Sequence, residues 1–223
     1  MNRRNLEPTR ILDCNSPATR RFAESVRAQH TSPSAFLEAA HAKISREIRP
    51  VYTVHERQSV STTIEKRRGS CSQRLACLEA LARWHQIGTR VRALWVSGRF
   101  WNNRFPIARL FIPRRVLLAW PQFFVDGYWR GAEAIYGPLE SRAADAIPFA
   151  NDGETLFEAV RSTVIDFDGR TRICSKSCDL SRFVVARGTV FDVRDDLFDQ
   201  LGHFEDTWKG KAFERLYGDR SSV

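Results

Sequence analysis

Residues 69–82 read Gly-Ser-Cys-Ser-Gln-Arg-Leu-Ala-Cys-Leu-Glu-Ala-Leu-Ala, a stretch that ties one cysteine to the start of a helix. Gly69 permits a tight backbone approach, and the Ser70 hydroxyl can cap an unpaired N–H. Leu75, Leu78, Leu81 and Ala82 then recur at the spacing of one buried helix face. Cys71 therefore falls in the first turn. Free N–H groups and the helix dipole favour a thiolate there, and Arg67, Arg68 and Arg74 add positive charge. The plainer alternative is a small residue that packs at a helix start.

The flanking segments alternate helix and strand. Ser16-Pro17 opens a helix over about 17–29, and Ser32-Pro33 opens another to about residue 48, which Pro50 ends. After the cysteine helix, Gly88 reads as its C-cap glycine, and residues 89–96 read as a strand. Residues 116–125 form a second strand, Asp126-Gly127 a tight turn, and Tyr128-Trp129 the return. Further on, Asp152 to Phe157 starts a helix that includes Val160. Residues 164–170 read as a strand ending in an Asp-Gly turn, with a hairpin to Ile173. Residues 192–218 read as two helices broken near Gly202.

The series Gly-x-Cys on a helix, Arg83, Gly88, Arg90-Val91, then Ala119-Trp120 and Val125-Asp126-Gly127-x-Trp129 resembles the transglutaminase-like superfamily of papain-like cysteine enzymes. The resemblance covers roughly residues 16–137. It implies an α+β fold with N-terminal helices packed on a central antiparallel sheet. The family strand begins His-Ala-Trp, and its histidine forms an ion pair with the cysteine. Here that position is Leu118. The family's acid lies four residues after a tryptophan, a position Glu133 holds relative to Trp129. The chain thus resembles a family member that keeps the thiol and an acid but lacks the base between them. A neutral thiol is a weak nucleophile, and general acid–base help is worth roughly 10²–10⁴ in rate. An activated thioester or ester needs less of that help than an amide does.

Other histidines can be weighed as substitutes. His85 is fourteen residues past Cys71 on the same helix, about 21 Å along its axis at 1.5 Å per residue. His55, in the loop before that helix, and His203, between the last two helices, remain as alternative bases. Arg68, Gln73, Trp101, Trp120 and Gln122, from the segments flanking the expected cleft, are the candidate substrate contacts. Phe100 and Trp101 belong to an arginine- and aromatic-rich connection, read either as a substrate loop or as ordinary packing.

Composition narrows the classes. Hydrophobic residues make up 43% of 223, enough for a core. No apolar run nears the ~20 residues of a membrane span. The first residues carry charge without a following apolar segment, unlike a secretory leader. Five cysteines without a disulfide-like spacing suggest a reducing, cytoplasmic setting. Cys174 and Cys178 alone are too few for a zinc site, and no metal or nucleotide motif occurs, so no cofactor is expected. Cys14 and Cys77 read as structural. The net charge of +9 favours acidic partners such as tRNA or an acidic carrier protein. No helix-turn-helix, zinc finger or RNA-binding motif accompanies it.

These readings converge on an N-terminal extension (1–15), a transglutaminase-like core (16–140) and a C-terminal extension packing on it (141–223). The expected activity is transfer of an activated acyl or aminoacyl group through Cys71 to an amine, as in specialised peptide metabolism. Glu133 would orient or protonate the amine. Two alternatives are a degenerate fold that binds a partner or ligand, and a small-molecule cyclase that uses the cleft without a Cys–His dyad.

Overall fold

The computed structural model describes residues 1–26, 32–102, 104–107, 111–142, 147–149, 154–165, 167 and 180–222. Its helices are α1 (Pro17–Glu24), α2 (Pro33–Glu47), α3 (Val60–Lys66), α4 (Cys71–Trp84), α5 (Leu139–Arg142), α6 (Leu156–Ser162), α7 (Arg194–Leu201) and α8 (Trp208–Tyr217). The strands are β1 (Arg49–Pro50), β2 (Arg68–Gly69), β3 (Thr89–Ser97), β4 (Arg115–Val125), β5 (Tyr128–Gly131), β6 (Ile147–Pro148), β7 (Thr163–Val164) and β8 (Val184–Phe191). The mixed α+β class with an antiparallel sheet is the one the sequence implies.

Local chemistry explains the helix starts. Ser16 and Ser32 each accept from the third backbone N–H beyond them, with proline in the first turn. Helix α1 ends at Glu24; residues 27–31, where the expected helix continues, lie outside the described residues.

The main sheet runs β5-β4-β3-β8. Strands β3 and β4 pair antiparallel along their lengths, with Leu94 opposite Leu118 and Arg92 opposite Trp120. The turn to β5 holds Asp126 at φ 53° and Gly127 at φ 82°. Two successive positive φ values match the twist of a tight hairpin, and glycine meets that demand at no steric cost. Strand β8 completes the sheet against β3 and lies outside the sequence reading. Most of the expected 164–173 hairpin lies outside the described residues. Strand β7 pairs parallel with β6, and residues 168–179, which include Cys174 and Cys178, lie outside the described residues.

Helix α4 is more deeply placed than one apolar face requires. Every residue from Gln73 to Arg83 is buried, because α1, α2 and α3, strand β4 and helix α6 all pack on it. Burial on all sides brings Arg74, Glu79 and Arg83 inside, where each charge needs partners. Arg83 donates to Thr89 Oγ1 (2.7 Å), the Glu7 carbonyl (2.6 Å) and the Asp192 carbonyl (3.0 Å), joining both ends of the chain to the core. Gly88 is not the left-handed residue after this helix. Gln86 is, at φ 61°, while Gly88 lies where a side chain would strike Met1.

Helix α2 buries His41, whose Nδ1 lies 2.8 Å from the Tyr136 hydroxyl and whose Nε2 lies 2.5 Å from the Phe157 carbonyl. Burial pushes its pKa down to about 4, against the opposing pull of the Phe157 carbonyl and Glu158. Between pH 6.5 and 4 the unfolded chain therefore binds a proton that the folded chain refuses. His41 contributes stability that is complete above pH 6.5 and is lost as pH falls toward 4, a term of about 3 kcal/mol. Urea titrations should show the gap between wild type and His41→Gln narrowing by about that amount from pH 7 to pH 4. A gap independent of pH would contradict this.

Candidate functional site

The start of α4 is built by a reciprocal cap. Gln73 N–H donates to Ser70 Oγ (3.1 Å), and Ser70 N–H donates to Gln73 Oε1 (3.0 Å). Gln73 also donates from Nε2 to the His55 carbonyl (2.7 Å), drawing the preceding loop against the helix. Ser70 Oγ donates to Glu56 Oε1 at 3.3 Å. Cys71 is thereby held in the first turn, as the sequence implies, and lines a cavity of about 180 Å³. The far wall is β4, with Val116, Leu118 and Trp120, and a side wall is the 98–105 connection, with Phe100, Trp101 and Phe105. Helix α6 and the 203–213 segment close it with Leu156, Phe204 and Phe213.

Leu118 shares this cavity with Cys71, so the strand position that holds the family's base does face the thiol's chamber. It carries no proton acceptor. The thiol is far from the expected depressed state: its pKa is pushed up to about 12. Burial is the first cause, and the Glu158 and Glu56 carboxylates add to it. Arg74 and the Phe157 backbone N–H oppose it without prevailing. Cys71 keeps some accessible surface, and it lines a cavity whose walls are mostly apolar. The helix-terminus argument thus gives way to desolvation. Arg74 is also committed elsewhere, fully buried, ion-paired with Glu158 and stacked on Phe157 at 4.3 Å.

The other candidates divide by position. Trp101 and Trp120 line the cavity. Gln73 is buried and spent on the cap, and Gln122 accepts from Arg90 Nε at 2.7 Å on the sheet. Arg68 pairs with Asp219 at 2.9 Å. None of these three is among the described residues lining the cavity. Glu133 accepts from Trp120 Nε1 at 2.5 Å, so it fixes an indole in the wall from outside the lining set. A side chain on Gly131 would collide with that carboxylate. His55 is more than half exposed and turns toward Glu205 (3.7 Å) and Glu214 (3.6 Å). His203 does line the cavity, but its Nδ1 accepts from the Glu205 N–H at 3.3 Å. A ring that accepts at Nδ1 carries its proton on Nε2 and is a donor there.

Two contributors lay outside the sequence reading: Glu56 and the buried Arg194. Arg194 donates to Glu79, to Ser72 Oγ (2.9 Å) and to the Ala119 carbonyl (3.2 Å), the neighbours of Cys71 and Leu118. Its partners in α4 lie over a hundred residues away and Ala119 of β4 lies 75 away, separations no local pattern reveals.

A model of the transglutaminase-like superfamily matches residues 20–134, over half of the chain. The chain belongs to that superfamily. No curated protein matches it. Among solved structures it is similar to a candidate cysteine protease from Cytophaga hutchinsonii, at 17% identity and a TM-score of 0.43. The match covers 57% of this chain and 39% of that one. Among the described residues no helix is long and apolar enough to cross a membrane, and no cluster of His, Cys, Asp and Glu could hold a metal.

Proposed function

We propose that the protein uses the transglutaminase-like cleft to hold an apolar acyl or aromatic group reversibly, without a cysteine–histidine pair. The observation carrying this reading is that Leu118 and Cys71 line one largely apolar cavity. An aliphatic side chain where a base would stand removes proton transfer and adds apolar wall. The cavity's size also suits the task. A dry cavity of ~150 Å³ accepts benzene, so about 180 Å³ suits one ring with a short chain.

A second reading, acyl transfer, draws on the position of Cys71 at a helix start and on Arg74 and the Phe157 N–H, which both lower its pKa. The sulfur would attack the carbonyl of an activated thioester or ester. The donor thiol or alcohol would leave with the thiol proton, and an amine would then take the acyl group as an amide and return the thiol. Donors on an acidic carrier protein or tRNA fit the net charge of +9, and a cytoplasmic setting fits the free thiols. Leu156, Phe204 and Phe213, from α6 and the 203–213 segment, close the cleft in either reading.

Incubation with 2-phenylethanol and with phenylacetyl-N-acetylcysteamine separates the two readings. Binding predicts a saturable rise in melting temperature with the alcohol, abolished by Leu118→Trp, and no mass gain from the thioester. A phenylacetyl adduct mapped to Cys71 would establish acyl transfer instead. No shift with either compound would overturn the binding reading.

A further inference from the structure

The cavity lining is mostly apolar, and its polar residues are Tyr52, Thr53, Glu56, Ser70, Ser72, Arg104, Thr155, His203 and Ser222. Their buried side-chain polar atoms have partners among the described residues, with one exception. The Arg104 guanidinium donates to the Ser222 carbonyl (3.0 Å), to Tyr52 Oη (3.5 Å) and to the Glu154 carbonyl. Thr53 donates to Glu214 at 3.0 Å. His203 accepts at Nδ1, and Ser70 both accepts from Gln73 and donates to Glu56.

Glu56 is the exception. Its Oε1 takes the Ser70 hydroxyl, but its Oε2 is buried with no hydrogen-bond partner among the described residues. A neutral hydroxyl is thus the only donor to this carboxylate among them. Taking a carboxylate from water is costly unless a cation or several donors replace the lost hydration. A bound molecule that brings a donor, best a charged one, would satisfy the oxygen and fill the chamber together.

We infer that the cavity selects a ligand with a protonated amine on an apolar body, and that Glu56 receives the ammonium group. The inference rests on the reversible-binding reading above and adds the class of ligand. The apolar body lies against Leu118, Trp101 and Trp120, and the ammonium pairs with the Glu56 carboxylate. A carboxylate-headed ligand of equal size would face Glu56 with like charge.

Three probes of one shape test this: phenethylamine, 2-phenylethanol and 3-phenylpropionate, titrated calorimetrically at pH 7. The amine should bind roughly tenfold more tightly than the alcohol, because a charge-assisted hydrogen bond is about twice as strong as a neutral one. The carboxylate should bind most weakly. In Glu56→Gln the amine should lose its advantage while the alcohol keeps its affinity, since glutamine retains an acceptor for Ser70. Equal binding of alcohol and amine by the wild type, or tighter binding of the carboxylate through Arg104, overturns the inference and leaves the reversible-binding reading intact. Failure of all three probes to bind overturns both.

Discussion

Arg194→Met should destabilise the protein by about 3–5 kcal/mol, the usual cost of leaving one partner of a buried ion pair uncompensated. Arg194 and Glu79 are both fully buried. The guanidinium donates from Nε to Glu79 Oε1 at 3.0 Å and from its other nitrogens to Ser72 Oγ and the Ala119 carbonyl. Methionine fills a similar volume and supplies no donor. Glu79 Oε2 already lacks a hydrogen-bond partner among the described residues, so the variant leaves the buried carboxylate without its donor and with only the charge of Arg83 to oppose burial. Arg194 draws the Glu79 pKa down against the larger upward push of burial; without it the carboxyl would take up a proton and fold neutral. The variant's deficit should therefore shrink at pH 5 relative to pH 8, because protonation then removes the uncompensated charge. Urea denaturation at the two pH values measures both quantities. For a chain of this length the loss corresponds to a melting temperature lower by on the order of 10 °C. The double variant Glu79→Met/Arg194→Met should recover most of the loss, since well-packed apolar pairs often match or exceed buried ion pairs in stability. A single variant within about 1 kcal/mol of wild type would mean the pair is not fully desolvated.

That ion pair also shows which parts of this molecule a reader of the sequence can reach. The cysteine helix, its Ser70 cap and the β4–β5 hairpin were legible because each depends on residues within a few positions of one another. So was the equivalence of Leu118 to the family's base, through the fixed spacing to Asp126-Gly127. The burial of α4 on every side was not legible. It depends in part on α6 and on Arg194 of α7, which lie beyond the matched region and return from far along the chain. Burial, which this return helps complete, raised the Cys71 pKa, and Glu158 of α6 adds negative charge beside the local arginines. Gln73 looked like a substrate contact because it follows the cysteine, yet its spacing from Ser70 is also that of a capping box. Strand β8 carries the signal of β-branched residues at Val184, Val185, Thr189 and Val190, interrupted by Gly188, which packs against Ala93. A glycine inside such a run marks a close backbone approach as readily as a turn.

Leu118→His should raise the rate of Cys71 alkylation by iodoacetamide at pH 7 about a hundredfold. In the wild type a thiol pKa near 12 leaves about one molecule in 10⁵ ionised at neutral pH. Its alkylation should therefore rise roughly tenfold with each pH unit from 7 to 10, without a plateau. An imidazole at residue 118 enters the chamber that Cys71 lines and can hold the thiol proton as an imidazolium. If that pairing lowers the thiol pKa to about 6, the thiolate population grows by nearly 10⁵. The intrinsic nucleophilicity falls by roughly 10²·⁴–10³ over the same interval, because weaker bases attack more slowly. The net gain is on the order of 10², and the rate should level off near neutral pH. Peptide mapping of the alkylated protein assigns the rate to Cys71 over Cys14 and Cys77, which are buried and also raised in pKa. Desolvation of the chamber opposes the gain, since it disfavours a charged imidazole as well as a thiolate. The outcome therefore weighs a short-range ion pair against the apolar wall that Leu156, Phe204 and Phe213 provide. A variant that folds, yet alkylates no faster than wild type, would show that the wall dominates and that this cleft can no longer support the family's chemistry.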